Sequence, residues 1–193
     1  MGSPVRNRIP IEDYFIHEKD AFIKSEYHNG EIIAMGGTTT KHDLMVNHLI
    51  AQLLYCLKKK GYKLFSKDVL VHAPACNRVF YPDIFIVCGK ILKEKRPWGA
   101  SAVLNPSIVV EVLSESTQEF DRTEKFDCYK TIAEFRKYFL VYQHELKVEV
   151  HEKISPNQWL ETTLSQENDV LDFDACEVIL KDLYDLDLEE DEV

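Results

Sequence analysis

The spacing of hydrophobic and polar positions changes several times along the chain, and each change predicts an element. EYHNGEIIAM (26–35) sets Asn29-Gly30 between two strand-like runs, the signature of a tight hairpin, with Glu31 opening the return strand. GGTTTKHDLMVNHLIAQLLYCLKKKGY (36–62) then takes helical spacing: Met45, Leu49, Leu53 and Cys56 or Leu57 recur beside Val46, Ile50 and Leu54. Lys58, Lys59 and Lys60 followed by Gly61 close it as a helix C-terminus should close. KLFSKDVLVHA (63–73) alternates as one strand, and VFYPDIFIVCG (79–89) reads as a longer apolar strand carrying Pro82-Asp83. PSIVVEVLS (106–114) reads as a strand buried on both faces. Asp121 and Glu124 form a capping box for a helix whose apolar face is Phe126, Tyr129, Ile132 and Ala133. KYFLVYQHELKVEVHEK (137–153) gives two strands about a short turn. The order predicts an α/β fold in which a mixed central β-sheet is flanked by helices.

Composition narrows this picture. A chain of 193 residues, 45% of them hydrophobic, supports one domain, taken as 1–184, with an acidic C-terminal tail at 185–193. No apolar run approaches the roughly 18 residues that a membrane span needs, and MGSPVRNRIPIEDYF lacks the apolar core of a signal peptide. Both points predict a cytoplasmic protein with no membrane partner. Cys56, Cys76, Cys88, Cys128 and Cys176 are an odd set without a CxxC pair, which predicts reduced thiols. The net charge of −10 argues on its face against nucleic-acid binding, but seven acids against one lysine fall from Lys181 onward, leaving a mildly acidic body. Basic residues gather at Lys58–Lys60 and at Lys90, Lys93, Lys95 and Arg96, just before Trp98. Solvated surface explains both groups, and phosphate contact is the alternative for the second.

Two acids stand where acids are costly. Asp83 follows a proline near the start of one apolar strand, and Glu111 lies in the middle of another. Burying an ionised carboxylate costs several kcal/mol unless a partner compensates it. Two such acids raise one another's pKa, and a divalent cation between them removes the conflict. A salt bridge from Glu111 to Lys125 or an arginine is the other account, as is an Asp83 that only accepts backbone hydrogen bonds in a turn. Lys125 is open to a solvent-facing reading in a first helical turn, and Asp121 is fully explained as an N-cap.

Taken together, EYHNGEIIAM, the helix with His42 near its start, YPDIFIVCG, NPSIVVEVLS and DRTEKFDCY resemble the Uma2 family of the PD-(D/E)xK nuclease superfamily, over about residues 10–184. The resemblance implies a restriction-endonuclease-like fold and Mg2+-dependent hydrolysis of DNA phosphodiester bonds, with Mn2+ as a substitute. It makes Asp83 the Pro-Asp acid and Glu111 the (D/E)xK acid. Leu113 occupies the usual lysine position two residues later, and the lysine matches Lys125 on the following helix instead. Asp83, Glu111 and the Val112 carbonyl become the expected metal ligands, and Lys125 the group that orients or deprotonates the attacking water. Glu31 and His42 match further family positions and are expected as additional site residues. The segment 90–101 connects the two acid-bearing strands and is expected to emerge near the site, placing Lys90, Lys93, Lys95, Arg96 and Trp98 against DNA. A homodimer is a further expectation. The competing reading is a catalytically silent nuclease-fold protein that binds nucleic acid or a protein partner.

Overall fold

The structure is a computed structural model and describes residues 8–94 and 98–186; Lys95, Arg96 and the tail from 187 onward lie outside the described residues. After α1 (Ile11–Lys19) come the hairpin strands β1 (Ser25–His28) and β2 (Glu31–Ala34). Asn29 (φ 50°) and Gly30 (φ 103°) make their turn, in the left-handed region that Asn-Gly reaches at least cost. Helix α2 (Thr40–Lys59) follows, its start capped by the Thr39 side chain, which accepts from the His42 N–H at 3.1 Å. It buries Met45, Val46, Leu49, Leu53 and Leu57. Leu54, counted with the stripe in the sequence, faces solvent.

The stretches 63–73 and 79–89 are each two strands, not one. They form β3 (Lys63–Ser66), β4 (Leu70–Ala73), β5 (Arg78–Phe80) and β6 (Ile84–Val87). β3 pairs with β6 and β4 with β5, so together they make one long hairpin that splits between two sheets at 67–69 and 81–83. Pro82 cannot donate to a ladder, and the split falls beside it. Then come β7 (Ala102–Val103), β8 (Ile108–Leu113), α3 (Gln118–Phe120), a π-type turn (Asp121–Lys125) and α4 (Phe126–Lys130). β9 (Lys137–Tyr142), β10 (Val148–Ser155), β11 (Gln158–Leu164), β12 (Val170–Asp172), β13 (Glu177–Ile179) and α5 (Leu180–Tyr184) complete the chain. The helix around Lys125 therefore starts at Gln118, not at Asp121, because the polar run 114–118 already turns helically. Asp121 is not a cap but a buried residue inside that helix. Ala133 lies past its end and is exposed.

The fold is a mixed α/β arrangement. A six-stranded sheet, β11-β10-β9-β8-β6-β3, is mixed because β8 and β9 run parallel. A five-stranded sheet, β2-β1-β5-β4-β7, meets it at the split hairpin. Strand β8 is buried at every position, and its alternate residues serve two cores. Ile108, Val110 and Val112 pack with α2 and α5, while Val109 and Leu113 face Tyr129, Tyr138 and Phe80. Glu111 shares the second of these faces. A third core joins α1 to the outer side of the five-stranded sheet through Tyr14, Phe15, Tyr27 and Val79.

The cysteines correct the expectation of reduced thiols. Cys56–Cys176 and Cys76–Cys128 are disulfides with Cα–Cα separations of 5.9 and 5.8 Å, and Cys88 is free. Partners 120 and 52 residues apart in sequence cannot be matched by spacing, only by the packing of α2 on the C-terminal hairpin and of α4 on the β4–β5 turn. No helix among the described residues is long and apolar enough to cross a membrane.

Candidate active site

The site lies where the chain passes between the sheets. Asp83 stands at the crossing from β5 to β6, and Glu111 is its neighbour on β8, one step beyond the Ile84–Val110 pair. The Val112 N–H donates to Asp83 Oδ2 at 2.8 Å, and the Asp83 N–H reaches Glu111 Oε2 at 3.4 Å. From α2, His42 Nε2 lies 3.1 Å from Asp83 Oδ2. A carboxylate only accepts, so the imidazole proton belongs on Nε2. The His42 Nδ1 is buried without a hydrogen-bond partner.

Lys125 comes from the π-type turn, a local widening that recurs at functional sites. Its Nζ sits 2.8 Å from Glu111 Oε1, 3.2 Å from Asp121 Oδ1 and 3.8 Å from Glu26 Oε1. It is 5% exposed, so the solvent-facing reading does not hold. Leu113 points to the same face as Glu111 and supplies only packing. The lysine missing at 113 is thus delivered to Glu111 from 14 positions further along.

Three carboxylates, from Glu26, Glu111 and Asp121, surround one ammonium, and Asp83 adds a fourth to the same cleft. Burial pushes the Glu111 carboxyl well above its ordinary range, Lys125 pulls it back, and the charges of Asp121 and Asp83 raise it again. Burial alone would lower Lys125, but Glu111, Asp121 and Glu26 more than offset this and hold it well above the usual lysine range. Burial likewise works to raise Glu26, yet Lys125, His28 and the Tyr81 N–H bring its pKa down. The site therefore gathers more carboxylates than its one ammonium can pair with.

A cleft of about 470 Å³ opens onto these groups. Glu26, His42, Asp83, Glu111, Val112, Asp121 and Lys125 line it, together with the 33–39 loop, Lys67 and Phe120. Among the described residues no group of three or more His, Cys, Asp or Glu side chains is arranged to hold a metal ion by itself. Two neighbouring carboxylates do fit a hard cation that keeps most of its waters, as Mg2+ does. Val112 touches the site through its N–H; that contact serves Asp83.

The sequence placed Asp83, Glu111, Lys125, Val112 and His42 in one site, and the structure brings them together. Glu31 is not among them: it is exposed and faces His28 across the hairpin. The acid on that hairpin that enters the cleft is Glu26, five residues earlier. In β1 the buried Ser25 and Tyr27 alternate with Glu26 and His28, so two polar residues share the cleft face. That alternation was the available signal. Within 90–101, the described residues Lys90, Lys93 and Trp98 also lie away from the cleft that sequence order alone predicted for them. Strands β6 and β8 are antiparallel, so their connection leaves at the Val87 end, about 13 Å from Asp83 at 3.3 Å per residue. Lys90, Lys93 and Trp98 do not line the cleft; Ala100 instead donates to the Phe15 carbonyl of α1.

Comparisons with known proteins bear on the family and the fold. The Uma2 family, described as "Putative restriction endonuclease", matches residues 11–180. "Uncharacterized protein sll1609" of Synechocystis sp. (strain PCC 6803) is 31% identical over 166 residues, 86% of this chain and 93% of that protein. "Uncharacterized protein slr1290" of the same organism is 27% identical over 155 residues, 79% and 78% of the two chains. A crystal structure from Anabaena variabilis ATCC 29413, described as "a putative nuclease belonging to DUF820", superposes with a TM-score of 0.72 at 20% identity, covering 91% of this chain and 98% of that one. With an acid pair and a lysine gathered on a mixed sheet, and a family match spanning nearly the whole length, the chain belongs to the Uma2 family and has its restriction-endonuclease-like fold.

Proposed function

We propose that the protein is a divalent-metal-dependent endonuclease that hydrolyses DNA phosphodiester bonds. The observation that supports it most directly is the 2.8 Å approach of Lys125 Nζ to Glu111 Oε1, beside Asp83, in one cleft. Mg2+, or Mn2+ in its place, held by Asp83, Glu111 and the Val112 carbonyl, would polarise the scissile phosphate and supply an activated water. The chain's own residues do the rest. His42 donates to Asp83 and fixes which carboxylate oxygen faces the cleft. Lys125, paired with Glu111, would orient or deprotonate the attacking water and offset charge growing on the phosphate. Tyr129, whose buried hydroxyl donates to Glu111 Oε1 at 3.5 Å, backs that carboxylate from the core.

Nicking of supercoiled plasmid with Mg2+, with Mn2+ and with EDTA, by wild type beside Asp83→Asn, tests the reading. Metal-dependent nicking lost in the variant is the expected result. No nicking by a folded wild type that also fails to bind Mn2+ in calorimetry would replace it with the catalytically silent nuclease fold.

A further inference from the structure

We infer that Glu26 is the positioning residue for Lys125, with His28 as its support. This rests on the endonuclease reading for its chemistry but on separate contacts for its geometry. Glu26 is fixed at both oxygens. Oε1 accepts the Tyr81 N–H at 3.0 Å and faces Lys125 at 3.8 Å, and Oε2 lies 3.1 Å from His28 Nε2. His28 is itself clamped, stacked on Phe120 at 4.9 Å and edge-on to Phe80 at 5.7 Å between ring centroids. Phe120 directly precedes the π-type turn that carries Lys125. The β1–β2 hairpin therefore grips that turn twice, through an aromatic stack and through a carboxylate.

The consequence concerns what happens when Glu111 has another charge to satisfy. A long lysine side chain held by one carboxylate is free to follow that carboxylate or to leave. Lys125 has three, on three different elements: Glu111 on β8, Asp121 on its own turn and Glu26 on β1. With Glu111 shared with a cation, Asp121 and Glu26 keep the ammonium in the cleft. Only Glu26 does so from outside the lysine's own helix, so it ties the ammonium to β1 independently of Glu111. The Lys125 Nζ also lies 5.7 Å from the centre of the Phe80 ring, which limits its travel on the β5 side.

Glu26→Gln keeps the size, an acceptor for the Tyr81 N–H and a partner for His28, and removes the charge. In the full chain it is expected to leave Mn2+ affinity within about 2-fold in calorimetry. It should lower kcat for plasmid nicking about 100-fold with little change in KM, the scale that small misplacement of a reacting group produces. Glu26→Asp is expected to recover part of that loss, which a merely structural role would not yield, since the shorter side chain packs worse. Glu26→Gln that nicks like wild type overturns the inference. Should wild type nick no DNA with either metal, the endonuclease reading fails on its own, and the positioning is read without turnover. The 1H–15N signal of the Lys125 ammonium, identified by its absence in Lys125→Met, should move in Glu26→Gln. If it stays in place, Glu26 does not hold the lysine.

Discussion

At the residue scale, the molecule turns on a surplus of carboxylates around one lysine. Glu111 has a raised pKa, so the folded state binds its proton more tightly than the unfolded chain does. The stability linked to that proton is complete below the ordinary value of 4.5 and is lost as pH climbs through the raised value. In EDTA, Glu111→Gln is therefore expected to gain stability relative to wild type as pH rises from 4 to 8. Paired thermal melts at the two pH values would measure that gain. Lys125→Met acts in the opposite sense. It leaves Glu111, Asp121 and Glu26 without their shared cation, a loss of about 3–5 kcal/mol in metal-free buffer. Mn2+ should restore more of the melting temperature to Lys125→Met than it adds to wild type, and equal increments in both would show that the acids and the lysine do not share one site. Of these residues the sequence exposed Asp83 and Glu111, because an acid in an apolar strand is visible without coordinates. Glu26 stayed hidden, since its neighbours Tyr27 and His28 look like ordinary strand residues until β5 and Lys125 are placed beside them.

At the element scale, the start of α2 links the fold to the site. Thr39 caps the helix and also donates to Gln143 Oε1 at 2.9 Å, tying the first turn to the end of β9. His42 sits in that turn. Thr39→Ala should cost about 1 kcal/mol, or about 2–4 °C in Tm for a chain of this size, and should weaken Mn2+ binding by loosening His42 against Asp83. An unchanged Mn2+ affinity alongside the expected Tm loss would confine Thr39 to helix stability. The helix itself and the Asn29-Gly30 hairpin were legible in periodicity and turn chemistry. The break of 79–89 into two strands was not, although Pro82 marked it, because an apolar run does not tell which sheet each half will join. The capping-box reading of Asp121 failed for a related reason: Asp three residues before Glu is a local pattern, and burial beside Lys125 overrode it.

At the scale of the whole molecule, two long-range links and one charge imbalance remain to be measured. The disulfides close loops long enough to restrict the unfolded chain by about 4–5 kcal/mol each in the chain-entropy account. Denatured, unreduced protein should titrate one thiol per chain, from Cys88, and five after reduction. More than one thiol before reduction would leave a pair open. Residues 187–193 add five carboxylates and no cation. Removing them is expected to tighten DNA binding at low salt and to change it little above about 0.5 M, where charges are screened over a few ångströms. Equal affinities at low salt would show that the tail does not repel DNA. The sequence by itself determined the hairpin, the long helix, the buried central strand and the two strand acids, because each is written in residues close together in the chain. Tertiary structure alone decided that Lys125 Nζ is shared among Glu111, Asp121 and Glu26, that Glu26 rather than Glu31 enters the cleft, and that the chain after β6 leaves from the far end of that strand. Each of these depends on which strands pair and in which direction, a property of contacts between distant residues that no local pattern of polarity encodes.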